Sequence, residues 1–381
     1  MARIQIFYKG RRKRRNYLFI PFVVLLALVS VLMVTFYGLQ KYAVISDESV
    51  RVELPILSDG TTATDSQGHE IVSFEPVNAS IVFDEPDYMD VEAVAGEDVP
   101  PMRAIFVPYT DLNHDKLMEY ANRLNEGNAL LLEMKPRSGQ LMWNSQAELA
   151  VNYGIVMPTE QTNAMQGLIS ELKSLDKEIY LAAQISCCID NTLPTRTQNY
   201  SIKTETGLNY QDDNGYWLDA YNFDVRKYVA QMAQELFDMG FDEVVLADVA
   251  HPTLTEAVPL IYTREISTER NTQVAVCGMA KSVAQQLEDR ESGYLSIYCD
   301  TKPGLVKVDL TTGQDARFFM KIFDRVYLKT DKASYSYNVT DIESNVELGN
   351  VYDRLMPVVE NYIPDNSSWV LVDVPEEDEE D

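Results

Sequence analysis

The chain has 381 residues and is strongly acidic, with 59 Asp and Glu residues against 32 Lys and Arg residues and a net charge of -27. This balance disfavours a protein held on nucleic acid by neutralising its phosphates. With 46% hydrophobic residues the chain can bury a large core, which excludes wholesale disorder. Its four cysteines include no CxxC pair, so neither a disulfide scaffold nor a structural zinc site is indicated.

The first predicted element is a membrane-spanning helix at residues 18–39, a run without a charged residue. At about 1.5 Å per residue it reaches about 33 Å, enough to cross a hydrocarbon core of about 30 Å. A signal peptide has a shorter apolar core and a small-residue cleavage site. The basic segment 1–17 is placed in the cytoplasm by the positive-inside rule. We therefore expect a single-pass protein of the cell membrane with an extracytoplasmic C-terminal domain.

Three regions follow the span. Residues 40–100 are rich in Asp, Glu, Ser, Thr and Pro without helical periodicity, which predicts an extended acidic stalk or linker. In residues 101–375, short β-rich apolar runs alternate with amphipathic segments, a pattern typical of repeated βα units. Residues 376–381 are predicted to form a solvated acidic tail.

Eight apolar runs in the third region predict eight strands, the number that closes a (β/α)8 TIM-like barrel. They are Arg103–Tyr109, Ala129–Lys135, Glu178–Ser186, Glu243–Val249, Gln273–Met279, Tyr294–Asp300, Arg325–Thr330 and Trp369–Val374. Helices are predicted before the second, third and fourth strands, the last of them with Asn222 as its N-cap and Gly240 after its end. The alternative is an open doubly wound sheet, but no Gly-rich phosphate loop follows the first strand.

A motif lies between residues 215 and 252, and it consists of Trp217, Asp219, Tyr221, Asn222, Gly240, Phe241, Asp242, Glu243 and Pro252. It resembles a bacterial family of glycoside hydrolase domains that often follow an N-terminal membrane anchor. A weaker likeness covers residues 128–140, with Glu133 where the family has its first Asp. The chain departs from the family elsewhere, because the strand-four Asp is one place later, at Asp248, and the family's Arg falls on Ala250.

The resemblance implies a TIM barrel that hydrolyses O-glycosidic bonds, a reaction that commonly uses two carboxyl groups. Barrel active sites lie at the C-terminal ends of strands, so the first candidate is Asp248 and the second is Glu133, as its acid/base partner. Residues expected to bind substrate are Lys135, on the same strand face as Glu133, with His251, Asp300, Trp217, Tyr221 and Tyr109. Structural roles stay open for these residues: a salt-bridged Asp248, a Glu133–Lys135 pair, and aromatic rings in the core.

Two functions remain in competition. The first is a membrane-anchored extracytoplasmic glycoside hydrolase acting on an envelope or environmental polysaccharide. The second is a catalytically inactive barrel that binds glycans or recruits proteins in cell-envelope assembly, and the missing Arg and shifted Asp favour it. In both cases the expected partners are a glycan and the membrane, with no nucleic acid, and no metal or organic cofactor is implied.

Overall fold

The computed structural model describes residues 43–46, 49–52, 99–124, 128–156, 159–254, 259–263, 271–299, 311–329, 340, 351–360 and 368–372. The predicted membrane span, the predicted acidic tail and Asp300 lie outside these residues. The chain divides into two units, Met1–Val82 and Phe83–Asp381. Strands β1 (Ala43–Ser46) and β2 (Ser49–Val52) pair as an antiparallel hairpin in the first unit. Within the described ranges, no helix is both long and apolar enough for a membrane crossing.

Eight parallel strands close into a barrel in the second unit, as predicted. They are β3 (Arg103–Val107), β4 (Asn128–Lys135), β5 (Tyr180–Ser186), β9 (Glu243–Ala247), β11 (Tyr294–Cys299), β12 (Val326–Lys329), β13 (Leu355–Val359) and β14 (Trp369–Val372). The strands pair in this order, and β14 returns to β3. Four two-residue strands form ribbons outside the barrel: β6 (Lys203–Thr204), β7 (Gln211–Asp212), β8 (Gly215–Tyr216) and β10 (Leu260–Ile261).

The helices of this unit are α1 (His114–Arg123), α2 (Glu148–Asn152), α3 (Glu160–Lys173), α4 (Leu193–Arg196), α5 (Phe223–Met239), α6 (Asn271–Gln286), α7 (Ala316–Ile322) and α8 (Val351–Arg354). The longest, α5, begins and ends where the sequence predicts. The Asn222 side chain accepts a hydrogen bond from the backbone N–H of Asp224, and Gly240 takes the left-handed conformation with φ of 104°. Val225, Val229, Met232 and Leu236 of α5 are buried on one face of the helix, which packs in the core.

One of the eight predicted strands is wrong. Residues 273–279 are not a strand but part of α6, where Val276, Met279, Ala280 and Val283 are all fully buried at helical spacing. A short apolar run cannot be told from part of a buried helix by periodicity alone. The barrel strand that the sequence analysis did not predict is β13, whose sequence LMPVV contains Pro357. Proline usually argues against an interior strand, because it cannot donate to the ladder.

Two apolar clusters follow from the alternation of the strands. Residues whose side chains fill the barrel form an inner cluster that includes Ala104, Ala129, Leu131, Val245 and Val370. Their neighbours along each strand pack outward against the helices in a larger cluster. On β4 the inward row runs from Ala129 through Leu131 and continues to Glu133, so this carboxyl group stands at the C-terminal end of the barrel interior.

A buried polar network closes the opposite, N-terminal end of the barrel. Glu243 and Arg325 form an ion pair with both side chains fully buried. The hydroxyl groups of Tyr180 and Tyr327 each donate to Glu243, at 2.8 Å. The Arg325 guanidinium also donates to the carbonyl oxygen of Pro100, which precedes the first barrel strand. The chain segment that enters the barrel is therefore bonded to this network.

Candidate active site

A cavity of about 520 Å3 opens at the C-terminal ends of the barrel strands, and we call it the larger cavity. Its polar walls are formed by Tyr109, Glu133, Arg137, Ser138, Gln184, Ser186, Asp248, Tyr298 and Lys329. The two carboxyl groups ranked first from the sequence therefore lie in the wall of one cavity. This is the end of the barrel at which substrates bind in enzymes of this fold.

Of the two carboxyl groups, that of Glu133 has the less polar surroundings. Its Oε2 atom accepts a hydrogen bond from the backbone N–H of Tyr109 at 3.1 Å. Burial raises the pKa of Glu133 above its ordinary value, and the negative charge of Asp248 adds to the rise, while the Tyr109 N–H and the Arg137 charge oppose it. A raised pKa keeps a carboxyl group protonated to higher pH, and the protonated form is the one that can act as a general acid.

Asp248 follows the last residue of β9 and has φ of 53°. Among the described residues it is the one non-glycine with a positive φ. Regular alternation would turn the side chain after Ala247 away from the barrel interior, because the row of Val245 and Ala247 faces inward. The left-handed conformation changes this direction, and the structure places Asp248 in the cavity wall. Such local strain is characteristic of functional positions.

The Asp248 carboxylate is bound by an arginine from the loop after β4 and by a serine from the end of β5. Arg137, in the loop after β4, brings Nη2 to 2.6 Å and Nε to 3.1 Å from Oδ1. The Ser186 hydroxyl lies 2.6 Å from Oδ2 and 2.9 Å from the carbonyl oxygen of Ile189, and it can donate to only one of them. These bonds orient the Asp248 carboxyl group, whereas burial raises the pKa of Glu133. The two groups are therefore suited to opposite roles.

Lys135 does not reach the larger cavity. A register shift between Glu133 and Lys135 in the pairing of β4 with β5 interrupts the alternation, so the expectation that the two side chains share one face is not met. Lys135 is fully buried, 3.0 Å from Oδ2 of Asp190, and donates to the carbonyl oxygen of Ser186. Lys135 therefore pairs with Asp190 and not with Glu133, and its two contacts bind β4 to the end of β5 and to the segment that follows it.

A second cavity of about 260 Å3 lies beside the first, and we call it the smaller cavity. Arg137 and Asp248 line both cavities, so their ion pair stands where the two meet. The remaining wall is formed by Ile189, Asp212, Asn214, Trp217, Ala250, His251, Thr253, Thr311 and Thr312. Trp217 and His251, both predicted to bind substrate, are thus brought to the smaller cavity.

His251 is held on both sides of its ring. Nδ1 lies 2.9 Å from the carbonyl oxygen of Pro252, and Nε2 is bonded to the Tyr262 hydroxyl. Burial lowers the pKa of His251 below its ordinary value. A neutral ring that donates from Nδ1 to Pro252 and accepts from Tyr262 satisfies both contacts. His251 is therefore a fixed, uncharged part of the wall.

The remaining predicted site residues separate into different places. Tyr109 lines the larger cavity. Tyr221 is buried and lines neither cavity; its ring packs edge to face on Tyr262, 6.3 Å between centroids. Asp219 accepts a hydrogen bond from the backbone N–H of Tyr221 in the loop before α5.

Sequence reasoning missed Arg137, Ser186, Gln184 and Lys329, all of which line the larger cavity. Each of them lies within two residues of the C-terminal end of a barrel strand, so the strand-end rule applied to all polar residues would have found them. Within the described residues, no group of three or more His, Cys, Asp or Glu side chains is arranged to hold a metal ion.

Comparison with known proteins assigns the chain to a family. Residues 104–327, more than half of the chain, match the family described as "Putative glycosyl hydrolase domain", which confirms the resemblance noted in the sequence. No curated protein matches the chain. Similar solved structures include a hypothetical protein from Ruminiclostridium thermocellum ATCC 27405, with 19% identity over 51% of this chain and 96% of that one and a TM-score of 0.42.

Two further similar structures carry glycoside hydrolase names. The PgaB (BpsB) glycoside hydrolase domain from Bordetella bronchiseptica has 11% identity, covers 72% of this chain and 94% of its own, and gives a TM-score of 0.49. The alpha-galactosidase TtGalA from Thermus thermophilus has 12% identity, covers 75% of this chain and 60% of its own, and gives a TM-score of 0.42.

Proposed function

The chain belongs to the putative glycosyl hydrolase domain family, and from this premise we propose that it hydrolyses O-glycosidic bonds in an envelope or environmental polysaccharide. One observation carries the proposal: Glu133 and Asp248 line the same cavity at the barrel mouth, where burial raises the pKa of Glu133 and Arg137 is ion-paired with Asp248. In glycosidases, acid and base roles are assigned to pairs of carboxyl groups whose environments differ in their effect on pKa.

In the proposed mechanism, the glycan lies across the mouth with the scissile bond between the two carboxyl groups. Protonated Glu133 donates its proton to the glycosidic oxygen as the bond to the leaving sugar breaks. Asp248, on the other side, stabilises the positive charge that develops on the anomeric carbon. As a base it takes a proton from the water that attacks this carbon. As a nucleophile it bonds to this carbon itself, and water, whose proton passes to Glu133, then hydrolyses the glycosyl ester and regenerates the Asp248 carboxylate. Arg137 and Ser186 fix the orientation of Asp248. The cavity of about 520 Å3 is large enough for a sugar ring.

A glycan-binding barrel without turnover is the second candidate. The observation that favours it is the engagement of Asp248, whose Oδ1 atom already lies 2.6 Å from Arg137. A carboxylate neutralised by a guanidinium is a weaker base and nucleophile than a free one. Binding of a wall glycan without release of sugar from it would support this candidate over the enzyme.

The direct test is an assay of the full-length protein, purified in detergent, against isolated bacterial wall glycans and exopolysaccharides. The measurement is the appearance of new reducing ends with time, with heat-unfolded protein as the blank. We expect cleavage of at least one of these polymers. Absence of cleavage on every polymer in the panel would contradict the proposal.

The pH dependence of cleavage is expected to show a fall on the alkaline side that belongs to Glu133. A general acid must carry its proton, and burial raises the pKa of this group, so activity should decline as pH rises through a value above the ordinary one of about 4.5. The Glu133→Gln variant should lose this decline and about 10²–10⁴-fold of its activity on natural glycans.

Two controls make the result specific to proton donation. Substrates with a nitrophenolate leaving group need little protonation, so Glu133→Gln should retain much more of its activity on them. The folded protein favours protonated Glu133 more than the unfolded chain does, so the contribution of this group to stability falls as pH rises above about 4.5. The neutral variant should therefore unfold at no lower temperature than the parent at pH 7. An alkaline decline that is unchanged in the variant would exclude Glu133 as the acid.

We further propose that residues 18–39 anchor the protein in the cell membrane, with the barrel on the extracytoplasmic side. The support is the uncharged apolar run and the basic segment before it. The full-length chain should remain in the membrane pellet after an alkaline carbonate wash, and deletion of residues 1–41 should release the protein. Release of the full-length chain by the wash would contradict the anchor.

A further inference from the structure

The buried ion pair of Lys135 and Asp190 is bonded to the wall of the larger cavity, and the proposed mechanism gives it no role. Both side chains are fully buried, with Lys135 Nζ 3.0 Å from Asp190 Oδ2, and neither residue lines the larger or the smaller cavity. A buried ion pair is weak evidence for stability, because the cost of removing two charges from water can exceed the gain from their attraction. The contacts of this pair therefore indicate its role better than its own energy does.

On one side the pair holds Ser186. Lys135 Nζ donates to the carbonyl oxygen of Ser186 at 2.7 Å, and the hydroxyl of the same serine lies 2.6 Å from Asp248 Oδ2. The next residue, Cys187, donates its backbone N–H to the carbonyl oxygen of Ala247 at 2.9 Å, so the end of β5 is bonded to the end of β9 just before Asp248. Lys135 therefore helps to hold the serine beside the carboxylate.

On the other side the pair holds the loop that carries Arg137. Asp190 Oδ1 accepts a hydrogen bond from the backbone N–H of Thr192 at 2.8 Å, which fixes the segment after β5. This segment bonds to the loop twice. Asn191 donates its backbone N–H to the carbonyl oxygen of Arg137 at 3.1 Å, and the Thr192 hydroxyl donates to the carbonyl oxygen of Ser138 at 2.8 Å. Asp190 therefore holds the backbone from which the guanidinium extends.

Gly139 allows the same loop to pass against Asp190. Its φ is 80°, and a Cβ atom at this position would lie 2.1 Å from Asp190 Oδ1. A side chain larger than hydrogen would displace either the loop or the carboxyl group. The loop and Asp190 are therefore in direct contact, and a movement of one is passed to the other.

These contacts form two arms that meet at one carboxylate. The first runs from Lys135 through Ser186 to Asp248. The second runs from Asp190 through the backbone and side chain of Arg137 to the same group. We propose that Lys135 and Asp190 are positioning residues, which together fix the orientation of the Asp248 carboxylate. That this carboxylate acts in catalysis rests on the proposed function, whereas its orientation can be tested without any substrate.

The first measurement is the rate at which phenylglyoxal modifies Arg137 in the full-length protein in detergent, followed by mass spectrometry of peptides. The Arg137 side chain is 50% exposed, so the reagent can reach it, but pairing with Asp248 keeps the guanidinium in its charged, slowly reacting form. Lys135→Met combined with Asp190→Asn, which we call the uncharged variant, keeps an oxygen that accepts the backbone hydrogen bonds. It should raise the rate at Arg137 by about fivefold or more, toward the rate in Asp248→Asn. Arg196, exposed on α4, is the internal reference.

The matched control removes a second fully buried ion pair at the opposite end of the barrel, by Arg325→Met combined with Glu243→Leu. It should leave the rate at Arg137 unchanged. Gly139→Ala keeps both charges of the proposed pair and should also raise the rate, because its Cβ atom displaces the loop; it decides the question if the uncharged variant does not fold. An unchanged rate in the folded variants, or equal rises in the two ion-pair variants, would overturn the proposal.

The second measurement is a double-mutant cycle on glycan cleavage. The uncharged variant should lower kcat by about 10–100-fold and keep KM within about threefold, because a displacement of about 1 Å in a catalytic group can cost about 10²-fold in rate. In the Asp248→Asn background the same change should lower activity by less than about twofold, since its effect passes through that carboxylate. An equal loss in both backgrounds would overturn the proposal. If no glycan is cleaved, the rate at Arg137 still decides the positioning, so its failure and the failure of hydrolysis can be told apart.

Discussion

Replacing Asp248 with Asn is expected to lower kcat/KM for glycan cleavage by about 10³-fold or more, equivalent to about 4 kcal/mol of transition-state stabilisation. Asparagine has nearly the same shape and also accepts the left-handed backbone that this position requires, at φ of 53°. The change therefore removes the negative charge and little else. Because the charge acts on the transition state, the loss should appear in kcat more than in KM.

A matched change at an exposed aspartate separates this effect from a general loss of acid groups. Asp224 lies in the first turn of α5 on the surface, and Asp224→Asn should keep activity within about twofold. Thermal unfolding of both variants, measured in the same buffer, shows whether either has lost its fold. Activity of folded Asp248→Asn within tenfold of the parent would exclude Asp248 from the chemistry.

Replacing Arg325 with Met is expected to lower the free energy of unfolding by about 3–5 kcal/mol. The substitution leaves Glu243 as a buried charge without its ion-pair partner, while the hydroxyl groups of Tyr180 and Tyr327 still donate to it. An uncompensated buried carboxylate is costly, whereas an ion pair on the surface contributes little. The measurement is equilibrium unfolding in urea.

The matched control is Lys116→Met, which breaks the exposed pair of Lys116 with Glu119 on α1 and should change stability by about 0.5 kcal/mol or less. A second variant tests the cause. Arg325→Met combined with Glu243→Leu removes both charges, and it should recover part of the loss if the unpaired carboxylate is responsible. A double variant less stable than the single one, or a loss below about 1 kcal/mol in Arg325→Met, would contradict the interpretation.

The barrel could be predicted because its signals are local. Apolar runs bounded by amphipathic segments indicate βα units, and the count of eight is correct although one member was misassigned. Residues 273–279 were predicted as a strand in place of β13, and the error has a physical cause. Val274 and Val276 favour a strand locally, whereas the helical spacing of the buried residues becomes visible only over the longer segment of α6. Conversely, Pro357 conceals a strand whose five residues are all buried.

The candidate site was only half predictable, for the opposite reason. Glu133 and Asp248 could be ranked from their positions at strand ends, but their partners come from distant parts of the chain. Arg137 and Asp248 are separated by 111 residues, and no periodicity encodes their contact. The family's strand-four arginine is absent here, and the structure brings a guanidinium to the carboxylate from the loop after β4. The register shift that removes Lys135 from the cavity is likewise invisible in the sequence.

Because all barrel strands are parallel, the two ends of the barrel domain differ as sites for fusing another protein or attaching a surface. The chain enters through Pro100, which is bonded to Arg325 at one end, and β14 ends at Val372, which lines the larger cavity at the other. A partner fused before Pro100 is attached at the end of the barrel opposite the larger cavity. The cavity then stays accessible to large polymers when the protein is immobilised or displayed on a surface. A reporter domain appended directly behind Val372 would start at the rim and obstruct access.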